Sequence, residues 1–306
     1  MKKGTSRIEL YFSLTLISVL ILSAAAFFMG VKVGADKVET KYSYLKITPA
    51  DPEFNDSYQQ QDLVTFYHTV FLPYREFKSE WVAKTETISQ TEDSSQVKKI
   101  LKQLRNLADE KYNAITKTTL YSTSPMLQES QTELLKSISL FRESADNISS
   151  SSISNSGEKL MREFQHNDLY TKGINYGLSA QKKYYNSMLK WNAQVDPSLT
   201  LQYDFSKDLS FTSWKKYSLI VKNAAVSTIL TKKSIYGAYD PQDMTARIDN
   251  MINSGKTQSM NLHSVEAVIN LLNNTDAVKE NDFKKWKNKY YTNELLPQIP
   301  FFYDIS

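Results

Sequence analysis

The sequence predicts an all-α protein: an N-terminal single transmembrane helix, a stalk, a long-helix antiparallel bundle and a smaller C-terminal helical part. Three observations carry that reading. Leu10 to Val31, LYFSLTLISVLILSAAAFFMGV, runs 22 residues without a charge. Downstream, apolar residues recur in threes and fours through four long stretches, the period of helices that share a core. The 306 residues include only 8 Gly and 8 Pro, too few turn formers for a sandwich or barrel of short strands.

The apolar stretch comes first. At about 1.5 Å per helical residue it reaches roughly 33 Å, enough to cross a hydrocarbon core of about 30 Å. A helix also satisfies its own backbone there. Lys2, Lys3 and Arg7 precede the stretch, and Ala24-Ala25-Ala26 within it matches an A-x-A cleavage site. A cleaved secretory signal is therefore the competing expectation. The run continues past that site through Phe27, Phe28, Met29 and Val31, longer than the roughly 7–15 apolar residues of a signal peptide. This favours an uncleaved signal anchor over residues 10–31, with the lipid bilayer as its partner.

Basic residues are densest before the span. Lys32, Lys37, Lys41 and Lys46 are spread more thinly after it. Positive-inside counting then places residues 1–9 in the cytoplasm and the body outside. The body is rich in Tyr, Ser, Thr, Asn and Gln and has no cysteine to oxidise, which suits an extracytoplasmic address. The alternative is the inverted topology, a cytoplasmic helical scaffold tethered at its N-terminus. Residues 32–55 read as a stalk, because Pro49 and Pro52 interrupt any helix there.

Residues 56–196 read as the bundle. The first stripe is Leu63, Tyr67, Val70, Tyr74, Phe77, Trp81 and Ile88, with a kink expected at Pro73. The second starts at an N-cap, Asp93 or Ser94, and runs Val97, Leu101, Leu104, Ala108, Tyr112 and Ile115. Ser124-Pro125 opens the third: Leu127, Leu134, Ile138, Phe141, Ala145 and Ile148, with Gln131 in one seam position. After a serine-rich break, the fourth runs Leu160, Phe164, Ile174, Leu178, Tyr185 and Met188, polar from Gln165 to Asn175. Short breaks between long stripes predict antiparallel neighbours.

Residues 197–306 read as a smaller helical subdomain. Leu199 to Phe211 partly alternates and is either extended or a long connection. Trp214, Tyr217, Val221, Ala224 and Thr228 mark one helix, and Asp240-Pro241 caps another that carries Met244, Ile248 and Met251. Val265, Val268, Ile269 and Leu272 mark a third, and Val278, Phe283, Trp286 and Tyr290 a fourth. The apolar, proline-broken tail after Tyr291 is expected to pack back on the body.

Little in the chain points to chemistry. Glu163 and His166 have the E-x-x-H spacing of a bundle metal ligand pair, but no second copy accompanies it. The serine-lysine pattern S-x-x-K occurs six times, too often to inform, and neither K-T-G nor G-x-S-x-G is present. Gly255-Lys256-Thr257 lacks the upstream glycine of a phosphate-binding loop. No cofactor or metal is expected, and a net charge of +4 is small for nucleic acid.

The densest basic patch is Lys284, Lys285, Lys287 and Lys289 around Trp286, an interaction surface suited to anionic lipid or wall polymer. Its bland alternative is Trp286 and Tyr290 facing the core with the lysines solvated. The expected function is a non-enzymatic, membrane-anchored interaction module of the bacterial cell surface: a scaffold, sensor or assembly factor that meets another protein. The alternative is an extracytoplasmic enzyme or ligand-binding protein with its site at His166, Asn167, Asp168 and Tyr170.

Overall fold

The structure, a computed structural model, describes residues 58–118, 124–151, 157–197, 203–205 and 207–303. Every element among the described residues is helical, and they pack as a helical bundle with no strand. The span expected at 10–31 and the stalk at 32–55 lie outside the described residues. Among the described residues no helix is long and apolar enough to cross a membrane.

The first aromatic stripe builds α1 (Gln60–Phe66) and α2 (Leu72–Ser89), joined by a π-helical turn, Tyr67–Phe71. Pro73 accounts for the turn. It has no N–H to give the Thr69 carbonyl and its ring crowds that position. The helix widens just before it, so the Leu72 N–H reaches the Tyr67 carbonyl. Thr118 Oγ1 donates to the freed Thr69 carbonyl at 3.5 Å. The expected kink is thus a π-bulge, and all seven stripe residues are buried.

α3 (Ser94–Thr116) starts at Asp93, whose side chain accepts the Ser95 N–H at 2.8 Å. Tyr112 departs from the expected seam and is 39% exposed. The seam there advances from Ala108 through Lys111 to Ile115, and Lys111 Nζ meets Glu76 Oε2 at 2.6 Å. α4 (Pro125–Ser151) buries its six predicted stripe residues. Gln131, the polar seam residue, donates to the Ile115 and Thr118 carbonyls at 3.1 and 2.8 Å. It therefore adds a side-chain donor to carbonyls at the C-terminal end of α3 and just beyond it.

The fourth stretch is two helices, not one: α5 (Gly157–Gln165) and α6 (Asp168–Val195). Asn167 makes the break, accepting the Leu169 and Tyr170 N–H groups at 2.9 and 3.2 Å. The polar run from Gln165 is this junction. Gly157 lets α5 begin hard against the end of α2; a Cβ there would sit 1.8 Å from the Ile88 carbonyl oxygen.

A seam of small residues joins α4 to α6. Ser130, Ser137 and Ser144, seven apart on α4, are fully buried. Ser137 Oγ donates to the Gly173 carbonyl at 2.7 Å and Ser130 Oγ to the Ala180 carbonyl at 2.9 Å. Gly177 leaves space for the Tyr74 hydroxyl, which bonds Ser137 Oγ and the Tyr236 hydroxyl, each at 3.0 Å.

The described part of the Leu199–Phe211 connection is irregular. Trp214 does not share a helix with Val221. It ends a short turn, α7 (Phe211–Trp214), before α8 (Leu219–Lys232). Every residue from Leu219 to Ser227 is buried, so α8 runs through the interior rather than along a surface. α9 (Pro241–Asn253) opens on a capping box of Asp240 and Asp243. α10 (Lys256–Ser259), α11 (Val265–Asn274) and α12 (Asp282–Tyr290) follow.

The tail packs back on the body through a 3₁₀ turn, Pro300–Phe302, which buries Phe301 and Phe302. Phe301 sets its ring 5.3 Å from Tyr67 and stacks on Tyr185 at 6.3 Å. The described residues form one compact unit around one apolar core.

Candidate functional site

The charges inside the fold come first, because buried ionic groups are costly unless paired. Asp240 caps α9 and is completely buried. Its carboxylate meets Arg75 Nε and lies 3.0 Å from Lys78 Nζ, both from α2. Lys78 also donates to the Tyr239 carbonyl at 2.8 Å and to Gln181 Oε1 at 3.4 Å. Arg75 reaches the Tyr67 hydroxyl at 3.2 Å and, toward the surface, Glu280 at 3.6 Å. Burial alone would raise Asp240, but Arg75 and Lys78 outweigh it and hold the carboxyl below its usual range.

Asp243, one turn along, has no cation in contact. Its oxygens accept the Asp240 and Phe283 N–H groups, each at 3.0 Å. Burial and the neighbouring Asp240 carboxylate push its carboxyl up to about 7, against those two N–H bonds and the more distant Arg75. A second network centres on the buried carboxylate of Asp249, which accepts from Trp214 Nε1 at 2.7 Å, the Tyr291 hydroxyl at 2.6 Å and Lys222 Nζ at 2.9 Å. Both networks join elements distant in sequence, and their polar atoms are spent on one another.

The residues expected to form a ligand site in the polar part of the fourth helical stretch have local duties. His166 is exposed, with Nδ1 2.7 Å from the Arg162 carbonyl. Asn167 is the α6 cap, Asp168 is exposed beside it, and Tyr170 packs its ring against Phe141 and Phe164 at 5.2 and 5.5 Å. Glu163 and His166 are not joined by further ligands: among the described residues no group of three His, Asp or Glu is placed to hold a metal. His68 and His263 are exposed on other elements.

The lysines of α12 are brought together with their aromatics. Trp286 and Tyr290 stack at 5.9 Å, both half-buried. Lys289 Nζ lies 5.5 Å from the Trp286 ring and 5.1 Å from the Tyr290 ring, and Lys287 Nζ 5.0 Å from Tyr303. Lys285 pairs with Asp282 at 2.6 Å. Lys284, Lys287 and Lys289 make no ion pair among the described residues. The rings of Trp286 and Tyr290 lean on the core, and Lys284 and Lys289 are exposed beside them.

One site was missed from the sequence. Lys182, Asn186 and Lys190 recur at every fourth residue on α6, so they share one helix face, and they line a cleft of about 380 Å³. Tyr203 and Phe205 form the opposite wall, ring planes 5° apart and centroids 5.7 Å apart. Tyr217 abuts Tyr203 edge-on at 5.5 Å and fixes the pair. Met126 and Leu189 supply apolar floor. The spacing K-x-x-x-N-x-x-x-K was the available signal, hidden because lysines at a helical period look like a solvated face. No family model matches the chain, and no curated protein or solved structure does either.

Proposed function

We propose that the protein is a non-enzymatic interaction module tethered to a bacterial cell membrane by residues 10–31, with its body outside. The observation that supports this most is the α12 surface. Two lysines without ion pairs among the described residues, Lys287 and Lys289, sit over or beside aromatic rings, an arrangement that offers positive charge on a pre-ordered platform to an anionic partner. The buried carboxylates, by contrast, are committed to holding helices together. Long helices add stiff faces for contact with another protein, and anionic lipid or wall polymer fits the same cationic surface.

Site-specific photocrosslinking in intact cells tests the reading. A crosslinker at Lys287 is expected to capture a discrete partner, and Lys284→Glu with Lys287→Glu to abolish that capture. Equal capture from Lys98 on α3 would overturn the role of α12. A reporter fused after Ser306 and active only in the cytosol would overturn the external placement.

A further inference from the structure

One short helix, α12, combines positive charge with apolar surface. Lys284 and Asn288 lie one turn apart on its outer side, as do Lys285 and Lys289, and all four are exposed. Lys285 is held by Asp282, but Lys284 and Lys289 have no ion pair among the described residues. Lys287 stands at the edge of this face, 5.0 Å from the Tyr303 ring. The carboxylates that neighbour α12 in the chain have other partners. Asp282 also meets Arg247 at 3.7 Å, Asp276 meets Lys279, and Glu280 pairs with Arg75 and accepts from Ser79. Glu294 is half-buried at the Leu219 backbone. The field over the outer face is therefore positive.

The rings beside the lysines show carbon to solvent. The Trp286 indole N–H is buried, so the open part of that half-buried ring is apolar. Tyr290 stacks on it at 5.9 Å, and Tyr303 is 40% exposed. Half-buried rings flanked by lysines suit the boundary between water and lipid, where ammonium groups meet phosphates and ring carbon meets the upper acyl region.

Charge selects the class of partner, and the tether selects its source. An anchor at Leu10–Val31 keeps a bilayer beside the body, and the 26 positions from 32 to 57 reach up to about 90 Å when fully extended. Such a link makes contact with the headgroups intramolecular, at an effective concentration on the order of millimolar. A soluble acidic partner gains no such advantage.

We infer that α12 docks the body on the anionic phospholipid headgroups of the membrane that holds its own anchor. The inference rests on the anchored reading of the chain, and it names lipid as the anionic partner of this surface. Each lysine near such a membrane strengthens binding roughly fivefold, and the attraction fades as salt shortens the screening length.

The chain has no cysteine, so Asn288→Cys gives one attachment point among the lysines for a fluorophore. The full chain is reconstituted into vesicles of phosphatidylcholine, alone or mixed with phosphatidylglycerol, each containing lipid with a nitroxide quencher on its headgroup. The α12 label is expected to be quenched several-fold more in the anionic vesicles, and to lose that excess in about 1 M salt. Lys284→Glu with Lys289→Glu should also abolish the excess. Both side chains are exposed, circular dichroism melting checks the fold, and the salt arm needs no charge substitution. The same fluorophore at Lys98→Cys, beside exposed Lys99 on α3, should stay unquenched and controls for charge alone. Flotation of the vesicles in high salt reads the anchor separately. A chain stripped from the vesicles overturns the anchored reading and this inference with it. A chain that floats, with its α12 label quenched no more in anionic than in neutral vesicles, overturns the inference alone. So does quenching that survives the two glutamates, or equal quenching from α3. A crosslinker at Lys287 that captures protein but no lipid in intact cells would assign the surface to a protein and overturn it too.

Discussion

Replacing Asp240 by Asn removes one negative charge and keeps the shape of the helix cap. Asn is as good an N-cap as Asp, so the cap itself changes by only a few tenths of a kcal/mol. What is lost is the counter-charge for two cations, Lys78 and Arg75, whose side chains are 4% and 12% exposed. Breaking a buried pair from one side costs about 3–5 kcal/mol. Lys78 keeps the Tyr239 carbonyl and Gln181, and Arg75 keeps Tyr67 and Glu280, which places the loss near the lower end, about 3 kcal/mol. For a body of this size that is a fall of roughly 6–12 °C in melting temperature, read by circular dichroism on the full chain in neutral detergent. Adding Lys78→Met removes one stranded ammonium, so the double variant should melt above Asp240→Asn alone. A melting point for Asp240→Asn within about 2 °C of wild type would refute the claim that these charges are desolvated and mutually dependent.

Gly177→Ala would set a Cβ 2.0 Å from the Tyr74 hydroxyl and 3.1 Å from Ser137 Oγ, displacing the buried Tyr74 ring at a cost of about 1–3 kcal/mol; an unchanged urea midpoint would show that the ring yields freely. Asp243, raised from 3.8 to about 7 in the fold, contributes stability that is full below the unfolded value and lost as pH rises through about 7. The stability of wild type relative to Asp243→Asn should therefore fall by on the order of 1 kcal/mol per pH unit between about pH 4 and 7, and a difference that stays flat or rises would sink the assignment. Asp240, held low, works in the opposite sense: its contribution is present above its unfolded value and fades as pH falls through the folded one. Phe302→Ala, at a fully buried position in the tail, should cost about 3–5 kcal/mol, measured by chemical denaturation; a cost under about 1 kcal/mol would mean that the tail merely rests on the body.

Helical period was enough to find α2, α3 and α4, because each buries one continuous stripe and the residues between are solvated. It failed where burial is not one-sided. α8 is covered nearly all round, so Trp214 looked like part of its stripe when it belongs to a separate turn. Tyr112 was misplaced because a lysine, Lys111, holds the seam position that an apolar residue usually takes. The small-residue seam was invisible for a related reason: Ser130, Ser137 and Gly177 carry no hydrophobic signal, yet close backbone approach needs them small. Polar side chains inside the fold, Lys78 and Lys222 above all, carry no mark that separates them from surface lysines. Their partners lie 162 and 27 positions away in the chain. The α12 lysines were legible as a patch, since they are contiguous. The α6 cleft was not, because its aromatic wall comes from a different segment.

The long reach of the Asp240 network sets an order of events at the ribosome. Chain growth at about 5–20 residues per second separates Lys78 from its counter-ion, 162 positions later, by roughly 8–30 s. Gln60 accepts the Gln298 N–H across 238 positions, so the first described helix is finished later still. All-α proteins usually fold fast because their contacts are local. Here the early helices can coil on time but cannot close. Until residues near 300 arrive, the Tyr67 and Phe71 rings lack the Phe301 cover seen in the finished protein. A nascent or truncated chain that lacks the tail would therefore present a sticky aromatic face at Tyr67 and Phe71.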